Sequence, residues 1–87
     1  MILSGKPYKP KSKFLWILGN HLKEERDKAG LSQEELAEKA GVSRGQLCDI
    51  ENGKVNARIE TLFKLSTSVG INFGVLIRAV IADYDLG

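Results

Sequence analysis

The chain has little from which to build a covalent or metal-held framework. Its 87 residues include one cysteine, Cys48, and one histidine, His21. A lone cysteine excludes an intrachain disulfide and any site made of several thiolates, and a lone histidine leaves no His/Cys cluster for zinc. Long apolar runs are also missing. The longest near the start is Phe14–Leu18, followed by Asn20, His21 and a charged stretch. That is too short for a membrane span or for the apolar region of a signal peptide. No membrane association is expected, and the cytoplasm is the expected compartment. Nor do a nucleophile, a base and an orienting group occur together, so neither an enzyme nor a cofactor is expected. Glu24, Glu25, Asp27, Glu34, Glu35 and Glu38 interleave with basic residues and read as solvated charge, not as a metal site or an acid–base pair.

What is present describes one small globular domain. The hydrophobic fraction is 43% and the charged fraction 28%, both ordinary for a soluble chain. A chain this short buries only about 60% of its unfolded surface, which leaves no room for two cores. The net charge is +2, but it is unevenly placed. Lys6, Lys9, Lys11, Lys13 and Lys23 lie in the first 23 residues with no acid among them, and acids outnumber bases over residues 24–42. Such asymmetry is compatible with nucleic-acid binding, but a short basic terminus is more often a solubilising tail.

Residues 1–13 contain Pro7 and Pro10 and no apolar period, and read as a flexible basic arm. From Phe14 the pattern changes. Leu15, Leu18, Leu22, Arg26 and Ala29 recur at three- and four-residue steps, which is one helical stripe, and Gly30 ends it. Ser32 followed by Glu35 forms a capping box, in which each residue's side chain bonds the other's backbone amide and opens a helix. Leu36, Ala37 and Ala40 form its apolar face, and Gly41 stops it. Ser43 and Gln46 make a second box at once, with Leu47 and Ile50 as the buried pair and Asn52-Gly53 as the break. Two short helices therefore flank a tight turn, an arrangement in which the second helix can enter a major groove. Lys54–Ala57 reads as a loop. A fourth helix carries Ile59, Leu62, Phe63, Leu65 and Val69 and ends at Gly70. Residues 73–82 fit a helix (Phe73, Leu76, Ile77, Val80) and a strand (Phe73, Val75, Ile77, Ala79, Ile81) equally well. The domain is expected over residues 14–82, with 83–87 as a short tail.

Residues 22–77 resemble the lambda-repressor-like helix-turn-helix domain, the XRE or Cro-like family of bacterial and phage regulators. The residues that carry the likeness are Arg26, Gly30-Leu31-Ser32-Gln33, Leu36-Ala37, Gly41-Val42-Ser43, Ile50-Glu51, Gly53, Thr61-Leu62 and Leu65. The resemblance implies an all-α, five-helix fold whose third helix, Arg44–Glu51, reads DNA. It implies that Gln33 contacts phosphate and braces the start of the recognition helix, and that Arg26 and Glu51 form a structural ion pair. With Leu47 and Ile50 inward, Gly45, Cys48, Asp49 and Asn52 point outward, flanked by Arg44 and Gln46. An arginine at the helix start can bond guanine O6 and N7 together. The DNA-contacting set is therefore expected to be Gln33, Ser43, Arg44, Gln46, Asp49, Asn52, Lys54 and Arg58.

Two departures from the family pattern stand out. Gly45 removes a side chain where base readers are common. Asp49 places an acid beside phosphate, though it can accept from cytosine N4. The expected function is a transcriptional regulator, most simply a repressor, that binds duplex DNA at a pseudo-palindromic operator as a homodimer. The apolar surplus of Val75, Leu76, Ile77, Val80 and Ile81 is the expected dimer surface. The rival expectation is an antitoxin that binds a toxin protein and autoregulates its operon. A third is a controller of a restriction–modification system.

Overall fold

The computed structural model describes residues 10–86. Five helices follow one another, with no strand among the described residues: α1 (Lys13–Lys28), α2 (Gln33–Ala40), α3 (Arg44–Glu51), α4 (Ile59–Val69) and α5 (Phe73–Leu86). Most of the basic arm, including Lys6 and Lys9, lies outside the described residues. Its described end is tied to the domain. The Lys11 amide donates to the Gly53 carbonyl at 2.6 Å. The Ser12 hydroxyl then caps α1 by accepting from the Leu15 amide at 3.1 Å.

The start and stop signals act as local chemistry predicts. At α2 the box is complete. Ser32 accepts from the Glu35 amide at 3.0 Å, and the Glu35 carboxylate accepts from the Ser32 amide at 2.8 Å. The Glu35 carboxyl is held below its ordinary pKa, first by that backbone bond and then by the Ser32 side chain. Gly41 closes α2 with a left-handed backbone at φ 75°, which a side chain would strain. The turn it makes lets the Val42 amide reach back to the Ala37 carbonyl at 2.9 Å. Two residues later Ser43 caps α3, accepting from the Gln46 amide at 3.0 Å. This is half of the expected second box, because the Gln46 side chain is exposed and does not cap the Ser43 amide in return. α4 starts at Arg58 with no side-chain cap.

The core sits between α1 and the other four helices. Leu22, Leu36, Leu47, Leu65, Leu76 and Val80 are all within 1% of full burial. Each contributes about 1.5–3 kcal/mol of apolar transfer. α1 packs on α3 and α5, α2 on α3 and α4, and α4 on α5. The segment that fitted helix and strand equally is a helix. Leu76 and Val80 insert into the core and Phe73 and Ile77 pack against it, while Arg78 is exposed. A strand's two-residue period would put Arg78 on the same face as Leu76 and Val80.

α5 also runs on to Leu86, through most of the expected tail. The first turns of α1 hold it there. Phe14 meets Tyr84 edge to face at 6.1 Å, Lys13 Nζ lies 4.7 Å above the Tyr84 ring, and His21 pairs with Asp83. His21 is half-buried and ties α1 to α5.

Candidate nucleic-acid interface

α3 is fixed by its inner face. Leu47 is fully buried and Ile50 is nearly so, while Arg44, Gly45 and Gln46 are exposed and Cys48, Asp49 and Asn52 are half-buried. A 100° step per residue separates these two faces. Ser43, Arg44 and Gln46 therefore cluster at the exposed start of the helix, beside the turn from α2. Glu34, Glu35 and Glu38 of α2 line an open depression with Ala37, Val42 and Arg44. Arg44 thus stands between acids on one side and the outward face of α3 on the other.

One buried carboxylate joins three helices. Glu51, at the end of α3, is 2% exposed. Its Oε2 accepts from Arg26 Nε at 2.7 Å and its Oε1 from Arg26 Nη2 at 3.2 Å. Arg26 Nη1 donates to the Leu31 carbonyl at 2.9 Å. Glu51 Oε1 also accepts from Gln33 Nε2 at 2.8 Å. The guanidinium pKa is raised, first by its hydrogen bond to Glu51 and against the lowering effect of burial. This network fixes α3 relative to α1 and to the start of α2. It also shows where the Gln33 amide nitrogen goes: inward, onto Glu51.

The remaining members of the expected set fall into three places. Asp49 is paired, its Oδ1 lying 3.9 Å from Lys54 Nζ, with both side chains a little under half exposed. Sequence reasoning treated Asp49 as an uncompensated acid. The two residues are five apart across the end of α3, a spacing that no helical pairing rule flags. Asn52 Nδ2 reaches Cys48 Sγ at 3.5 Å, so both polar groups at the far end of the helix engage each other. Arg58 is exposed at the start of α4, separated from α3 by the loop. Lys11, in the described end of the basic arm, is exposed and docked through its amide onto Gly53, just past α3.

Among the described residues, no group of three or more His, Cys, Asp or Glu side chains is placed to hold a metal ion. No single described helix is long and apolar enough to cross a membrane.

The family model described as helix-turn-helix matches residues 22–76, more than half of the chain and all of α2, α3 and α4. The chain belongs to the XRE-type, lambda-repressor-like helix-turn-helix family of DNA-binding transcription regulators. It is similar to the SPbeta prophage-derived HTH-type transcriptional regulator YonR of Bacillus subtilis, with 33% identity over 80% of this chain and 65% of that protein. It is also similar to the immunity repressor protein of Bacillus phage phi105, with 35% identity over 69% of this chain and 42% of the repressor. This chain thus spans less than two thirds of either relative. Among solved structures it resembles the restriction-modification controller protein C.AhdI from Aeromonas hydrophila. That match has a TM-score of 0.69 and 35% identity, and covers 71% of this chain and 94% of the controller.

Proposed function

We propose that this helix-turn-helix chain is a sequence-specific repressor that places α3 in the major groove and binds a pseudo-palindromic operator as a homodimer. The observation that carries the reading is the mounting of α3. A solvent-facing helix with an arginine at its start is locked to two other helices through a buried Glu51 network. Rigid presentation of that kind is what direct base readout needs, because a base contact depends on the register of the whole helix. Similarity to a phage immunity repressor and to a restriction–modification controller supports a regulatory role over the toxin-binding alternative.

Arg44 and Gln33 have different expected roles, and titration of variants against operator and scrambled duplex separates them. Arg44→Ala should relax preference at one base pair per half-site, costing about 1–3 kcal/mol there. Gln33→Ala should weaken operator and scrambled duplex together, because it loosens the seating of α3 without removing a base contact. Arg44→Ala binding every duplex as the parent does would move the DNA face elsewhere on the domain.

A lone recognition helix makes few base contacts, and a two-fold axis doubles them over half-sites about 34–36 Å apart or a multiple of that. A second copy has a surface to use. Ile59 and Phe63 lie one turn apart on α4 at 72% and 54% exposure, and the Phe63 ring meets Phe73 at 6.1 Å. On α5, Val75 and Ile81 are 50% and 48% exposed, while Phe73 and Ile77 are partly buried against the domain's own core. This corrects the expected dimer surface in one respect. Val80 and Leu76 point into their own core, so Val80→Glu would test folding, not assembly. Phe63→Glu and Ile81→Glu are the informative variants. Each should sediment as a folded monomer at concentrations where the parent is dimeric, and parent and variants sedimenting alike would rule out this face.

A further inference from the structure

Gly45 lies in the first turn of α3, on its exposed face. Its φ is not positive, and a Cβ built on it would meet nothing within 4 Å. The other described glycines either have a positive φ or would push a Cβ against neighbouring atoms. Gly45 is therefore the one described glycine that neither backbone conformation nor internal packing accounts for. Glycine is also the poorest helix former after proline. The space a side chain would fill at position 45 lies outside the domain, on the face that α3 presents to solvent.

Asp49 is one turn further along the same face. A carboxylate can only accept hydrogen bonds, and the hydrogen-bond donors in the major groove are the exocyclic amines, cytosine N4 and adenine N6. Aspartate has a single methylene, so it reaches a base edge only if the helix axis comes close to the groove floor. A methyl group at position 45 would be among the first atoms to touch that floor. Lys54, 3.9 Å from the carboxylate, offsets its repulsion from the phosphates that line the approach.

We propose that Gly45 is the clearance point of the recognition helix and that Asp49 is a specificity-determining residue, accepting from an exocyclic amine of cytosine or adenine in each half-site. The proposal deepens the DNA-binding reading above and rests on it.

The test selects bound sequences from random duplex with the full chain and with Gly45→Ala, Asp49→Ala and Asp49→Asn, and measures the melting temperature of each protein. Gly45→Ala should melt at or above the parent temperature yet bind the parent's selected duplex about tenfold more weakly or worse. Asp49→Ala should lose preference at one position per half-site and keep the others. Asp49→Asn should favour adenine there, because an amide both accepts from N6 and donates to N7. N4-methylcytosine or N6-methyladenine placed in the selected duplex identifies the base, since the modified amine has one hydrogen fewer to donate. Gly45→Ala melting lower than the parent would make the glycine structural and overturn the proposal. So would Gly45→Ala binding as tightly as the parent, or Asp49→Ala keeping every preference of a parent that does select a sequence. A parent that selects no sequence at all would overturn the regulatory reading itself, and this inference with it.

Discussion

Glu51→Ala should destabilise the domain by about 3–5 kcal/mol, the cost of stranding a buried charge whose partner has been removed. Glu51 receives three hydrogen bonds from two residues on two other helices. Without it, Arg26 stays 8% exposed with only the Leu31 carbonyl and an outlying Asp27 carboxylate at 3.5 Å. In a domain of this size each kcal/mol moves the melting temperature by about 4–8 °C, so the variant should unfold near working temperatures. Arg26 adds no pH dependence to this loss short of strong alkali. Arg26 has a raised pKa, so the stability its charge brings is fully present below the ordinary arginine value and is lost only in strong alkali. Arg26→Met should cost a similar amount, by leaving a buried carboxylate to Gln33 alone. The double variant Arg26→Met, Glu51→Leu should recover much of the loss, because well-packed apolar replacements of a buried pair are often neutral. Denaturant unfolding of the four proteins reads the cycle. Single variants that each cost less than about 1 kcal/mol would place the pair in the class of solvated surface bridges.

The pair also marks the boundary of what the sequence made legible. Helices α2 and α3 could be delimited from local chemistry alone, because Ser32, Glu35, Gly41 and Ser43 act within one turn of where they stand. That Arg26 would meet Glu51 followed from the family resemblance. Nothing in a separation of 25 residues announces a contact. The same limit explains the undecided last segment. Its residues satisfy both periods, and only the core that receives Leu76 and Val80 chooses between them. It explains the length of α5 too, since Asp83 and Tyr84 are held by His21, Lys13 and Phe14 from the far end of the chain. In the candidate interface, the outward face of α3 was legible from the buried Leu47 and Ile50. The Asp49–Lys54 pair and the inward turn of Gln33 were not, because side-chain partners beyond one helical turn leave no periodic trace. Ile59 and Phe63 show the opposite failure: apolar residues at helical spacing that the domain leaves in water.

Gly19→Ala should be among the most damaging glycine-to-alanine changes at the described residues. A Cβ at Gly19 would stand 2.4 Å from the Glu51 carbonyl oxygen and 2.5 Å from that of Ile50. Both are backbone atoms, so no rotamer change relieves the clash. At this point α1 and the end of the recognition helix touch main chain to main chain. Gly53 makes a second such contact, where a Cβ would lie 2.9 Å from the backbone of Trp16, three residues before Gly19 on α1. Overpacking a tight core costs about 1–3 kcal/mol and sometimes more, and contacts this short against main chain put Gly19→Ala at the upper end or beyond. Gly53→Ala adds roughly 1–2 kcal/mol of left-handed backbone strain to the same clash, since its φ is +69°. Stability is only part of the expected loss. To admit the methyl group α1 must move away from α3, and the buried Arg26–Glu51 network that seats α3 is stretched with it. The fraction of Gly19→Ala that remains folded should therefore bind operator more weakly than the parent, a deficit that persists after correction for unfolded protein. Denaturant unfolding gives the first quantity and titration at a temperature where both proteins are folded gives the second. Gly19→Ala melting with the parent would show that α1 and α3 stand further apart than these contacts require, and would remove the argument that backbone contact sets the angle of the recognition helix.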